Sequence, residues 1–189
     1  MVGANNKSDH FVNDGHRLMP FLIDMRCKMK LETGYVYHIK NEFFDLANDD
    51  KLMANHEGNA TRPNYFCIKK ANSDLMWFIP MSSKVEKYRK IIKNRIQKGK
   101  RCDTIVIGNY RNREQAFLIQ NMFPITEKYI DHIDTANGLA LKVAKKTQEE
   151  IIKKVNIVFK LKERGIKVIF PHVDKISKKL LNEIAENNA

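Results

Sequence analysis

Residues 78–88 read FIPMSSKVEKY, with two serines and a lysine where an apolar run gives way to a basic amphipathic segment. The start of a helix presents unpaired N–H donors and the positive end of its dipole, which together hold anions. Two hydroxyls and an ammonium at such a start suit a phosphate. The same residues also spell a capping box, Ser83-Lys84-Val85-Glu86, in which the serine accepts a backbone N–H and Glu86 reaches back to the cap. The two readings are compatible at Ser83, but capping leaves Ser82 and Lys84 unexplained. RNA can be cut without a metal, because its own 2′-OH can serve as nucleophile. That chemistry needs aligned reacting groups, a proton acceptor and donor, and donors facing the charge that builds on the phosphate. Ser82, Ser83 and Lys84 are candidates for the last task.

Other chemistries find little support. The histidines His10, His16, His38, His56, His132 and His172 are scattered, without H-E-x-x-H or a Cys/His quartet. The sequence has no P-loop, no G-x-G-x-x-G, no G-x-S-x-G and no S-x-x-K. No metal or cofactor is expected. Cys27, Cys67 and Cys102 are odd in number and form no C-x-x-C, so reduced thiols and a cytoplasmic setting are the simplest reading. The apolar stretch Leu18–Cys27 is interrupted by Pro20, Asp24 and Arg26, which argues against a membrane partner or a secretory signal.

The charge distribution names a different partner. The chain carries a formal +12, and residues 84–101 hold nine Lys/Arg against Glu86 alone. Residues 142–167 hold nine against three, and the rest of the chain is slightly acidic. Two concentrated basic stripes are the footprint expected for a nucleic acid, although solvated helix faces also carry such runs. On the first stripe Lys87, Tyr88, Lys90, Lys93 and Arg95 are the candidate RNA contacts. His38, in a strand pattern, is a candidate contact or proton carrier.

These residues need a scaffold. Clean patterning begins after residue 28, so 1–28 are expected to be a leader outside the fold and 29–189 a single domain. YVYHIK, NYFCIKK and LMWFIP read as strands, the last two joined by Ala71–Asp74. NEFFDLA reads as a short helix. Val85, Tyr88, Ile91, Ile92 and Ile96 recur at spacings of three and four, which predicts a helix over 83–98 closed by Gly99. DTIVIGNY and QAFLIQNM predict a strand pair ended by Pro124. LALKVA and IKVIF predict strands on either side of a helix over 147–164 that opens with a second capping box, Thr147 to Glu150. Residues 172–187 predict a last helix. Short antiparallel strands broken by helices, without a βαβ rhythm, point to an α+β domain with a compact twisted sheet or small barrel.

The stretches YHIKNEFFDL, RPNYF, FIPMSSKVEKY, AFLIQNMFPITEKYI and TQEEIIKKVNIVFKLKERG followed by IKVIF resemble the ToxN/AbiQ family of type III toxin–antitoxin endoribonucleases, in particular its CptN group. The resemblance spans roughly residues 34–185, and P-x-S-S-K followed by QNMFP is its most specific part. It implies a highly twisted antiparallel sheet of the Kid/MazF toxin kind and metal-independent cleavage that leaves 2′,3′-cyclic phosphate and 5′-OH ends. As partner it implies a repeated RNA pseudoknot antitoxin, cut from its precursor by the toxin and assembled with it into a closed protein–RNA oligomer. The family's Thr/Ser-Ser pair falls on Ser82 and Ser83, and its lysine on Lys84 or Lys87. A second lysine, just after a proline, corresponds to Asn64. Arg62 is the expected substitute, since a guanidinium can grip phosphate bidentately.

Overall fold

Met76–Ser82 (MWFIPMS) has no polar residue until its last position, and so long an apolar run needs cover on both faces. The computed structural model describes residues 31–57, 60–69 and 73–187, and there this segment is the fully buried spine of a seven-stranded antiparallel sheet. The elements begin with β1 (Val36–Ile39), α1 (Asn41–Ala47), the short β2 (His56–Glu57) and β3 (Ala60–Thr61), β4 (Asn64–Lys69), β5 (Met76–Ser82) and α2 (Val85–Gln97). They continue with β6 (Val106–Tyr110), β7 (Arg113–Phe117), β8 (Phe123–Ile125), β9 (Ile130–Ile133), the short β10 (Thr135–Ala136) and β11 (Leu139–Ala140), α3 (Lys145–Glu163) and α4 (Val173–Asn187).

The sheet order is β6-β7-β5-β4-β1-β9, with β8 also on β5. β7 and β8 share one side of β5. Met81 and Ser82 pair with Phe117 and Ala116, whereas Met76, Trp77 and Phe78 pair with Ile125, Pro124 and Phe123. A 3₁₀ turn at Ile119–Asn121 carries the chain between the two. Pro124 therefore lies within a strand rather than ending one. It is tolerated because, among the described residues, β8 has no strand on its other side, where the missing N–H would be needed.

Side-chain alternation sorts the core. Tyr65, Trp77, Ile79, Met81 and Phe117 pack with Ile151, Val155 and Val158, spaced four and three apart on α3. On the opposite face Phe66 stacks on Phe78 at 4.9 Å between ring centroids, and Phe43 of α1 stacks on Phe123 at 5.1 Å. α2 covers the outer strands through Tyr88, which packs with Ile105, Ala116 and Leu118. Glu32–Ala189 form one compact unit. The expected leader, 1–28, lies outside the described residues.

Neither capping box forms. α2 begins at Val85 with no side-chain cap, the Ser83 carbonyl accepts the Val85 N–H at 2.8 Å, and Glu86 pairs instead with Arg89 at 3.3 Å. α3 begins two residues before Thr147, whose side chain lies against Gly108 of β6. The helix stops do form: Gly99 and Gly165, at φ +66° and +78°, each close a Schellman pair of N–H bonds onto the last turn. IKVIF is not a strand. Its backbone makes a single lateral bond, Phe170 N–H to the Gln120 carbonyl at 2.7 Å, and Ile166 and Phe170 remain exposed. LALKVA does not form one strand: Asn137-Gly138, both at positive φ, turn Leu139–Ala140 into a local hairpin with β10, and Lys142 makes an isolated bridge to Tyr35.

Candidate active site

Ser82 is the last residue of β5 and is 4% exposed. Its Oγ accepts the Lys84 N–H at 3.3 Å, a local bond that leads the chain out of the sheet and into α2. With one lone pair so engaged, the hydroxyl still has its proton to give. Ser83 points outward and is exposed. Arg62, between β3 and β4, reaches the same place. Its Nε donates to the Ala54 carbonyl at 2.9 Å and its Nη1 to the Met81 carbonyl at 3.0 Å, one residue before Ser82. Arg62, Ser82 and Ser83 thus meet, with Thr61, around a cleft of about 250 Å³. Lys84 is exposed beside this cleft without lining it.

Pro63, Met81 and Gln115 line both that cleft and a second groove of about 850 Å³. The two hollows are therefore adjacent. Arg111, Arg113 and Lys142 supply cations along the larger one, and Asp134 and Tyr110 lie at its wall. Arg111 sits at φ +52° in the tight β6–β7 turn and donates to Asp134 at 3.2 Å.

Three expected RNA contacts are placed otherwise. Asn64 is 1% exposed and donates its amide to the Arg62 carbonyl at 2.8 Å, so it braces the cleft instead of facing it. Tyr88 is buried under α2, where no base can stack on it. His38 has both ring nitrogens engaged: Nδ1 lies 2.6 Å from Thr61 Oγ1, and Nε2 lies 3.4 Å from Asp134 Oδ1. The Tyr110 hydroxyl donates to the other Asp134 oxygen at 2.8 Å. Burial alone would raise the Asp134 pKa, but the bonds from His38 and Tyr110 and the Arg111 charge hold it below the usual carboxylate range. The same neighbours act in reverse on Tyr110, whose pKa is raised by burial and by the Asp134 carboxylate. No spacing in the sequence announces this cluster, because its members come from β1, β3, β6 and the end of β9.

No family model matches the sequence, and no curated protein matches it. A search of solved structures finds AbiQ, described as a lactococcal anti-phage endoribonuclease belonging to the type III toxin–antitoxin system. The match has a TM-score of 0.63 at 16% identity and covers 82% of this chain and 99% of AbiQ. This chain has the AbiQ fold.

Around that fold the basic stripes differ in character. On α2 Lys87, Lys90, Lys93 and Arg95 are all exposed, and no carboxylate pairs with the last three among the described residues. Lys87 Nζ stands 5.7 Å above the Tyr88 ring. The stripe at 142–167 is partly committed to structure. Lys142 reaches Glu32 at 3.3 Å, Lys154 reaches Glu150 at 2.9 Å and Lys162 reaches Asp174 at 2.7 Å.

One described cluster has metal-ligand composition. Asp49, Asp50 and His172 bring potential ligand atoms within 4.8 Å of one another. Their atoms already serve the fold: Asp49 accepts the N–H groups of Lys51 and His172 at 2.9 and 2.6 Å, and Asp50 takes Lys51 Nζ at 2.7 Å. Cys67 and Cys102 are free thiols, and burial raises the Cys67 pKa. No helix among the described residues is long and apolar enough to cross a membrane.

Proposed function

We propose that this chain is an endoribonuclease toxin of a type III toxin–antitoxin system, of the ToxN/AbiQ kind. It cuts RNA by attack of the 2′-OH, without a metal, and leaves 2′,3′-cyclic phosphate and 5′-OH ends. The observation that carries the reading is the convergence of Arg62, Ser82 and Ser83 on one cleft of about 250 Å³ at the end of the spine strand. A likeness in fold to an endoribonuclease supports it. Ser82 presents its remaining O–H, Ser83 and Lys84 stand at the positive end of α2, and Arg62 brings a fixed charge. All four favour negative charge on the phosphoryl oxygens as the 2′-oxygen bonds to phosphorus. Flanking RNA lies along Lys87, Lys90, Lys93 and Arg95. The partners are then target RNAs and a repeated pseudoknot antitoxin that the toxin processes and joins in a closed protein–RNA oligomer. Phage defence or locus maintenance is the biological role.

A purely RNA-binding protein would need the serines only as caps, and no cap forms at Ser83. Purified protein incubated with A-rich RNA in EDTA is expected to release fragments, and Ser82→Ala with Arg62→Ala to abolish them. An intact RNA, or cleavage that requires added Mg²⁺, would overturn the proposal.

A further inference from the structure

Among the residues of the cleft, Thr61 has a connection that the phosphate-binding groups lack. Its Oγ1 lies 2.6 Å from His38 Nδ1, and His38 Nε2 faces Asp134 Oδ1 at 3.4 Å. An ionised carboxylate only accepts, so in the neutral imidazole Nε2 carries the ring proton, Nδ1 is the acceptor, and the Thr61 hydroxyl donates to it. The arrangement is a directed chain: hydroxyl, imidazole, carboxylate. Its outer end lines the 250 Å³ cleft together with Ser82 and Arg62, and its inner end is buried, with Asp134 8% exposed. The ring is also held by its neighbours, since His132 stacks on His38 at 4.5 Å with 12° between the planes. Tyr110 holds the far oxygen of the carboxylate, Oδ2, at 2.8 Å, and Arg111 Nη1 donates to Oδ1, the oxygen that His38 faces, at 3.2 Å.

A side chain that only braced the β2–β3 hairpin would have no need of a histidine behind it. Nor would a histidine that only filled space need a carboxylate behind it in turn. Hydroxyl, imidazole and carboxylate in this order are the parts that move a proton away from a nucleophile.

We propose that Thr61 is a catalytic residue of the RNA-cleaving reaction, receiving the proton of the attacking ribose 2′-OH, with His38 and Asp134 as positioning residues that draw that proton inward. The assignment rests on the endoribonuclease reading and names the base that the reading leaves open. In the step, the 2′-OH proton passes to Thr61 Oγ1 while the threonine's own proton moves to His38 Nδ1. The 2′-oxygen forms a bond to phosphorus, and the P–O5′ bond breaks with its electron pair on O5′. O5′ takes a proton from water, and the hydroxide so formed recovers the proton held by the imidazolium. Atoms and charge balance, and neither oxidant nor cofactor enters. Asp134 stays ionised throughout and steadies the imidazolium.

The test compares wild type with Thr61→Val, Thr61→Ser, His38→Gln and Asp134→Asn on an RNA oligonucleotide. The same oligonucleotide with a 2′-deoxy sugar at the scissile position serves as an uncleavable ligand. Positioned acid–base groups contribute about 100- to 10,000-fold. Thr61→Val, which keeps the shape, is expected to lower kcat at least about 100-fold with KM and affinity for the deoxy ligand unchanged. Thr61→Ser, which restores the hydroxyl, should recover most of the rate. His38→Gln and Asp134→Asn should lower kcat without weakening the deoxy ligand. Thr61→Val cutting at the wild-type rate overturns the assignment. So does Thr61→Ser failing as badly as Thr61→Val, or affinity falling in step with rate in either. A wild-type protein that cleaves nothing overturns the endoribonuclease reading itself, and this assignment with it.

Discussion

Replacing Ser83 with alanine separates catalysis from helix capping, because the structure gives this serine no structural task. Its side chain is exposed and caps nothing, and the Glu86 that would complete a capping box is paired with Arg89. Loss of an N-cap serine costs about 1 kcal/mol, whereas an exposed side chain with no such task changes stability by less than about 0.5 kcal/mol. For a chain of this size 1 kcal/mol moves the melting midpoint by about 2–4 °C. Ser83→Ala is therefore expected to melt within about 2 °C of wild type, the shift that corresponds to half a kcal/mol. If Ser83 faces developing charge on the phosphate, its removal should slow cleavage by about 100- to 1,000-fold, the range for one lost donor in such a site. Thermal unfolding and single-turnover cleavage, measured on the same preparation, supply both numbers. A melting loss of several degrees with unchanged cleavage would refute the reasoning and restore the cap.

Further outcomes follow from other contacts. Asp49 accepts the His172 N–H at the start of α4; burial alone would raise its pKa, but the N–H donors of Lys51 and His172 hold it below the usual range. A carboxylate with a lowered folded-state pKa stabilises above its unfolded pKa and loses that contribution as pH falls through the folded value. Asp49→Ala should thus cost about 0.5–2 kcal/mol near neutrality, as a lost cap does, and progressively less below about pH 4 in urea titrations. Gly108→Ala would drive a methyl into Thr147 Cγ2, part of a stiff β-branched side chain. It should lower stability by about 1–3 kcal/mol, with part recovered by adding Thr147→Ser, as chemical denaturation can read. Lys87→Glu, Lys90→Glu and Arg95→Glu together should flatten the salt dependence of antitoxin RNA binding, each lost phosphate contact removing about 0.7–0.9 from the log–log slope. An unchanged slope would make the α2 stripe a solvated face.

The strands β1, β4, β5 and β6 formed where composition placed them, whereas β7 starts inside the expected charged turn and ends at Phe117, where a 3₁₀ turn at Ile119–Asn121 replaces the rest of QAFLIQNM. The helices α2, α3 and α4 carry an apolar stripe along one side, and Gly99 and Gly165 end the first two because no other residue enters the left-handed region as cheaply. What misled was context. IKVIF has strand composition but makes one lateral bond, Phe170 N–H to the Gln120 carbonyl, short of a ladder, and the Asn137-Gly138 turn claimed Leu139–Ala140 for a local hairpin. Both capping patterns were outcompeted, one by the Arg89 guanidinium and one by the close approach of α3 to Gly108. At the site, the meeting of Arg62 with the serine pair could be anticipated from residue chemistry. The burial of Tyr88 follows from its place in the apolar stripe of α2, but that of Asn64 could not be anticipated, since it depends on which face of β4 meets the core. The Thr61–His38–Asp134 chain was beyond reach for the same reason. Asp134 lies 96 residues from His38, and only the pairing of β1 with β9 brings them together.

The most direct measurement is the chemistry of the cut ends. RNA incubated with the purified protein in EDTA should yield fragments whose 5′ ends accept phosphate from a polynucleotide kinase without prior dephosphorylation. Their 3′ ends should carry a mass matching a 2′,3′-cyclic phosphate, and a single 2′-deoxy substitution at the cut position should abolish cleavage there. Fragments bearing 5′-phosphates and 3′-hydroxyls, or cleavage that survives the deoxy substitution, would contradict attack by the 2′-OH and with it the role assigned to the cleft.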